Sequence, residues 1–273
     1  MNMYKKFILS CVIAIISVFS FNQCSENPLN NINVFSIEDD IQLGSQLDQQ
    51  IKASPSEYPI LNDVEATSYV QNIVNQILNS PEVKYKNKFV YKVTLINTNT
   101  INAFATPGGY IYVYKGLLKF IDNEATLAAI LAHEIAHAER RHATNRMTKE
   151  YGLQTLLAVV LGNSPSTLEA IASNMFSGLA LMYNSREDEY DSDEYSFKYL
   201  QASIWYPGAG KFFFEKMNSQ SNNSSLQELF STHPLDQKRI DALNQMIVAA
   251  NLMPPNESNL FTTRYLQFKG RFN

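Results

Sequence analysis

Apolar positions recur along this chain in three rhythms, and each rhythm predicts a different kind of element. Phe7 to Phe21 is a continuous apolar run behind Lys5 and Lys6. Ile41, Leu43, Leu47 and Ile51 then keep a helical spacing, so residues 37–53 read as a helix that Ser54-Pro55-Ser56 breaks. A second helix follows over 64–78 and ends near Asn79-Ser80-Pro81. Phe89, Tyr91, Val93 and Leu95 share one face of an alternating stretch, which predicts a strand over 89–96. Residues 103–106 and 110–114, joined by Pro107-Gly108-Gly109, read as strand, tight turn, strand. From Asp122 onward the chain is almost wholly helical. With Asp122 as N-cap, one long helix covers 124–143, its apolar positions at Leu127, Ile130, Leu131, Ile135 and Ala138. Leu153 to Leu161 and Leu168 to Met182 predict a buried helical hairpin, since neither approaches the roughly 20 residues of a bilayer span. Ser185 and Asp188 have the spacing of a capping box and open another helix. Pro234 suits the first turn of one more. The pattern as a whole predicts an α+β fold, mostly helical with a small sheet, in one domain.

Composition narrows this. The chain has 273 residues and 45% hydrophobic content, enough for one sizeable core. A net charge of −4 argues against nucleic acid as a partner. The one short basic run, Arg140-Arg141-His142 after Glu139, falls in the last turn of the 124–143 helix, where cations suit the dipole. The apolar N-terminal run behind two lysines reads as a signal peptide over 1–23. Phe21-Asn22-Gln23-Cys24 resembles a bacterial lipobox, which makes Cys24 the acylated first residue of the mature chain. The other cysteine, Cys11, lies within the signal, so no disulfide is expected. Residues 24–36, rich in Asn and Ser, read as a tether, 37–250 as the functional domain, and 251–273 as a C-terminal tail.

The chemistry is concentrated in His133-Glu134-Ile135-Ala136-His137, inside the 124–143 helix. Residues four apart on a helix lie one above the other. Two imidazoles so placed can bind one zinc ion and leave room for a third protein ligand and a water. Glu134 stands beside them, placed to act as general base on that water. This is the H-E-x-x-H arrangement of zinc peptidases. The chain has four histidines, and the motif holds two of them, which weighs against a chance pair. The third ligand is not fixed by any spacing rule. In Ser185 to Glu194, Glu189 and Asp193 share a helix face, while Glu187, Asp191 and Glu194 point elsewhere. On charge alone the segment reads as a solvated acidic helix start.

His133-Glu-x-x-His137 followed by Ser185-Arg186-x-x-Glu189-x-x-x-Asp193 resembles the signature of the zinc metallopeptidase family that includes the HtpX and BepA proteases and the CAAX prenyl proteases. The resemblance implies a zincin-like metallopeptidase domain that holds one Zn2+ per chain through His133, His137 and Glu189. It implies that Asp193 supports His133 through the far ring nitrogen, which fixes the tautomer. Ser192 stands where the family more often has alanine. Asn102-Ala103-Phe104-Ala105-Thr106-Pro107-Gly108-Gly109 resembles the family's block upstream of the zinc helix. That block implies an edge strand beside the helix, where Asn102, Ala103, Phe104 and Ala105 bind a substrate chain through main-chain hydrogen bonds. Phe230-Ser231-Thr232-His233-Pro234 also matches, with Arg239 behind it. There the resemblance places His233 at the active site, as oxyanion stabiliser or as occupant of the metal's open position at rest.

The implied protein is a zinc endopeptidase, exported to a bacterial envelope and lipid-anchored at a membrane facing the periplasm. Its partners are that membrane and unfolded or misfolded proteins, which it cleaves as quality control. The alternative is a metal-binding chaperone or assembly factor. Glu134 separates the two, because binding zinc does not require it and hydrolysis does.

Overall fold

The computed structural model describes residues 33–149, 169–173, 176 and 184–272. The signal peptide, Cys24, most of the tether and most of the 153–182 hairpin lie outside the described residues. α1 (Ile37–Lys52) opens on a capping box between Ser36 and Asp39 and buries Leu43, Leu47 and Ile51. The chain before it is held down: Phe35 is 2% exposed and packs with Leu43, Met147, Ile171 and Ala172. α2 (Val64–Ile77) is capped by Asp63 and buries Val70, Ile73, Val74 and Ile77.

The sheet has three strands in the order β1-β3-β2. β1 (Lys92–Ile96) is shorter than the sequence predicts. Tyr91 takes a positive φ of 43°, which ends the extended run, and its hydroxyl turns inward to Glu139. β2 (Ala103–Thr106) and β3 (Tyr110–Tyr114) form the expected strand–turn–strand, with Ala103 opposite Val113 and Thr106 opposite Tyr110. β1 runs parallel to β3, Lys92 beside Tyr110. The outer side of β1 is closed by Leu61 N–H donating to Leu95 O, 2.8 Å, so β2 is the edge left to pair. The turn between β2 and β3 needs glycine at Gly108 and Gly109, with φ of 74° and 88°. α1 lies hard against this turn: a Cβ on Gly44 would stand 1.9 Å from the Pro107 carbonyl oxygen.

α3 (Lys115–Phe120) leads into α4 (Glu124–Glu139), the helix of the histidine motif. Its N-cap is Asn123 and not Asp122: Asn123 Oδ1 accepts from Thr126 N–H at 2.8 Å, while Asp122 pairs with Lys216 and Lys269. Every residue of α4 is buried. The helix also stops four residues early. Arg140 caps it, Arg141 turns into the left-handed region at φ 59°, and a separate helix, α5, covers 142–149. α6 (Arg186–Gln201) starts at the expected Ser185–Asp188 capping box and packs along α4. α7 (Gly210–Ser219) and α8 (Gln227–Thr232) follow. α9 (Gln237–Ala249) is capped by Asp236, so the helix expected at Pro234 begins three residues later.

Residues 251–272 join the same core. α10 (Glu257–Leu260) and α11 (Thr262–Lys269) return to the start of α4. Tyr265 donates to Leu118 O at 2.7 Å, Phe268 stacks on Tyr69 with centroids 3.9 Å apart, and Arg264 pairs with Glu124. Among the described residues no helix is long and apolar enough to cross a membrane.

The contact of α1 with the glycine turn is open to test. Gly44→Ala should destabilise the protein by about 1–3 kcal/mol through overpacking. Gly270→Ala, where a Cβ meets nothing within 4 Å, should stay within about 0.5 kcal/mol of wild type. Equal urea midpoints for the two variants would contradict the contact.

Candidate metal centre

α4 sets His133 and His137 one turn apart, and their Nε2 atoms face each other at 2.9 Å. α6 brings Glu189 across them, with Oε2 3.4 Å from His133 Nε2 and Oε1 3.2 Å from His137 Nε2. His233, the residue that ends α8, puts Nδ1 3.0 Å from Glu189 Oε1. One donor atom from each of these four buried residues lies within 4.8 Å of the others.

The outward faces of the rings are also held. His133 Nδ1 lies 3.0 Å from Asp193 Oδ1. Arg239 grips Asp193 at both oxygens, Nε to Oδ2 at 2.6 Å and Nη2 to Oδ1 at 2.7 Å. Its Nη1 donates to Pro234 O at 3.1 Å and forms an ion pair with Glu189 Oε2 at 2.6 Å. His137 Nδ1 faces His142 Nδ1 at 2.9 Å. With both Nδ1 atoms turned outward, the Nε2 lone pairs converge beside the Glu189 carboxylate. Converging donors of this kind need a cation between them, and imidazole with carboxylate suits zinc.

Charge shapes the site. Burial lowers the His133 pKa, but Glu189 and Asp193 outweigh it and push it up to about 10. Burial opposes ionisation of Glu189, yet His233, Arg239 and His133 hold it well below its ordinary value. Glu134 goes the other way. Burial, helped by the charge of Glu189, raises it against His233 and His133. Glu134 Oε1 stands 3.6 Å from His233 Nε2, and Glu134 lines the cleft with Ala105 of β2.

Two cavities meet here. A cleft of 220 Å³ is lined by Phe104, Ala105, Tyr114, Glu134, His137 and His233. A pocket of 50 Å³, walled by Ala103, Ile130, Met217 and Leu229, reaches Glu134 and His233 from the other side. The structure thus gathers His133, Glu134, His137, Glu189, Asp193, His233 and Arg239 around one point. It places the Asn102–Ala105 strand beside them with its side chains divided. Phe104 packs with Tyr58, Tyr112 and Tyr114 on one face, and Ala103 and Ala105 share the main core on the other; Phe104 and Ala105 line the cleft and Ala103 lines the pocket. Asn102 spends its side chain locally, donating to Glu228 Oε1 and accepting from Ala103 N–H, both at 2.9 Å.

Two neighbours were not anticipated. Asn184 Nδ2 lies 3.3 Å from His137 Nε2. The second is His142, which one continuous helix over 124–143 would turn away from the site. Five residues beyond His137 on such a helix it would sit about 140° around the axis; the break at Arg140 and Arg141 swings it back. The histidine spacing was the signal, and it needed the break to be read.

A helix-borne histidine pair, a carboxylate from a crossing helix and a buried glutamate free of the donor cluster together define a metallopeptidase. The chain belongs to peptidase family M48, whose model matches residues 65–247. It is 32% identical over 233 residues to the beta-barrel assembly-enhancing protease of Yersinia pestis, an alignment covering 81% of this chain and 46% of that protein. Against the Escherichia coli K12 protein of the same name it is 30% identical over 234 residues, 82% of this chain and again 46% of the relative. The mitochondrial metalloendopeptidase OMA1 of Schizosaccharomyces pombe is 25% identical over 253 residues, 90% of this chain and 73% of its own length. The chain spans about half the length of the bacterial relatives.

Metal analysis of purified variants checks the donor set. Glu189→Ala should lose most bound metal and Glu187→Ala should keep it. Asp193→Ala should weaken binding about 10–100-fold. Equal metal in the two glutamate variants would remove Glu189 from the set.

Proposed function

We propose that the protein is a zinc endopeptidase that hydrolyses peptide bonds in unfolded or misassembled proteins of a bacterial envelope. Glu134 carries this reading. It is buried between the donor cluster and the edge strand and is not needed to hold a metal. When bound by His133, His137 and Glu189, zinc supplies Lewis acidity toward a carbonyl and a water. Glu134 takes the proton of the attacking water. Its raised pKa lets the carboxyl keep that proton until the amine nitrogen leaves with it. His233 lies beside both Glu189 and Glu134, which supports a role for it either at the metal's open position at rest or at the oxyanion.

Three observations support an unfolded substrate. β2 is an edge strand on the cleft, so an extended chain can pair with its main chain without a sequence requirement. The pocket beyond Glu134 is walled by apolar side chains, and apolar side chains are what unfolded proteins expose. The relatives' name, a protease that enhances β-barrel assembly, points to unassembled β-barrel proteins as the substrate class. Export and acylation at Cys24 rest on the lipobox-like Phe21-Asn22-Gln23-Cys24.

The full chain purified in detergent with zinc, given casein or an unfolded outer-membrane protein, tests the activity. Glu134→Gln should keep its zinc and its melting temperature while proteolysis falls about 10²–10⁴-fold. A variant that cleaves nothing yet fully rescues a deletion strain would make the protein a metal-binding chaperone or assembly factor. Fractionation tests the anchor: wild type should sediment with membranes, and Cys24→Ala should turn soluble or stay unprocessed. Unchanged membrane association with normal processing would refute acylation.

A further inference from the structure

His142 is buried, and the chemistry above gives it no task. Its Nδ1 lies 2.9 Å from His137 Nδ1, and its Nε2 lies 3.1 Å from Asp191 Oδ2. The Ser192 hydroxyl is 3.3 Å from the same Nδ1. Asp191 is held in turn by Arg140 Nε at 2.6 Å. A line of hydrogen bonds therefore leads from His137 outward to a partly exposed ion pair.

A metal on His137 settles every proton on this line. His137 Nε2 is the nitrogen among the other donors, 2.9 Å from His133 Nε2 and 3.2 Å from Glu189 Oε1. A neutral imidazole that ligates through Nε2 carries its proton on Nδ1. That N–H can donate only to a bare nitrogen, so His142 Nδ1 is unprotonated. His142 then keeps its proton on Nε2 and donates it to Asp191. His142 Nδ1 has one lone pair, which the His137 N–H takes at 2.9 Å, and the Ser192 hydroxyl at 3.3 Å is left as a secondary contact. In the alternative tautomer two N–H groups would collide at 2.9 Å.

We propose that His142 is the positioning residue of His137. Held by Asp191 in its Nε2-protonated form, it accepts the His137 Nδ1 proton and aims the ring at the metal. The two histidines of the motif are therefore supported unequally. His133 leans on a carboxylate backed by Arg239, and His137 leans on a neutral acceptor. A carboxylate makes a ligating imidazole more basic than a neutral partner does. The unequal support spares the metal a further share of negative charge beside Glu189, and so preserves its pull on a substrate carbonyl.

The inference rests on the reading of the site as a zinc centre, so wild-type affinity is measured alongside. Zinc dissociation constants are obtained by chelator competition on the full chain, with melting of the metal-free forms as control. His142→Phe keeps a ring but offers no acceptor, and should bind zinc about 10–100-fold more weakly. Its metal-free melting should stay close to wild type. His142→Asn puts Oδ1 where Nδ1 stood and should recover most of the affinity. Nitrogen-15 NMR of the histidines in the zinc-loaded wild type reads the tautomer without any variant, and should show His142 protonated on Nε2 alone. His142→Phe binding as tightly as wild type, His142→Asn binding as poorly as His142→Phe, or a proton on His142 Nδ1 would each overturn the proposal. A wild-type chain that binds no zinc overturns the metal reading and this inference with it.

Discussion

A helix buried on every face cannot carry ionisable groups unless the rest of the protein answers them. α4 carries Glu124, His133, Glu134, His137 and Glu139, all buried. Removing the partner of a buried charge costs about 3–5 kcal/mol, so each of these side chains dictates something around it. Glu124 collects the Tyr69 hydroxyl, Trp205 Nε1 at 2.8 Å and Arg264, which ties α2, the segment before α7 and α11 to the start of the helix. Glu139 does the same at the other end with the N–H groups of Lys84 and Tyr85 and the Tyr91 hydroxyl. Between them, the histidines draw in α6 and α9 through Asp193 and Arg239. The fold is thus arranged as a set of partners for one helix, and the geometry of the site follows from their number.

Much of this was legible because it is local. Periodicity located α1, α2 and α4, and the Ser185–Asp188 spacing located the start of α6, since caps and turns depend on residues within one turn of each other. What stayed hidden depends on distant partners. Asp122 and Asn123 are both competent caps, and the choice between them goes with Lys216 and Lys269, far along the chain, which engage Asp122. Arg141 sits where a helix end usually has glycine, and it is held there by Asp40 and by Ser36 O at 2.9 Å. No window around Arg141 contains those partners. By charge alone the run after Glu139 suits the helix dipole, yet Arg140, Arg141 and His142 each have a specific internal partner. Glu189 lies more than fifty residues beyond His137, so spacing alone could not select it from its acidic neighbours; family resemblance did.

The two walls of the site make different demands. One is a strand edge, which offers main-chain groups and is indifferent to side chains. The other is a set of apolar side chains that select by size. Glu134 and His233 stand where the two cavities meet, so a bound chain would meet both walls at the point of attack.

The carboxylates around the histidines have a consequence for the site before any metal arrives. Burial alone would strip His133 of its proton, but Glu189 and Asp193 push its pKa up to about 10, and Glu189 with Glu134 raises His233. Protons on these two histidines would compete with a cation for the site. A metal ion must displace them to enter, so the centre behaves as an ion exchanger: loading releases acid, and acid drives unloading.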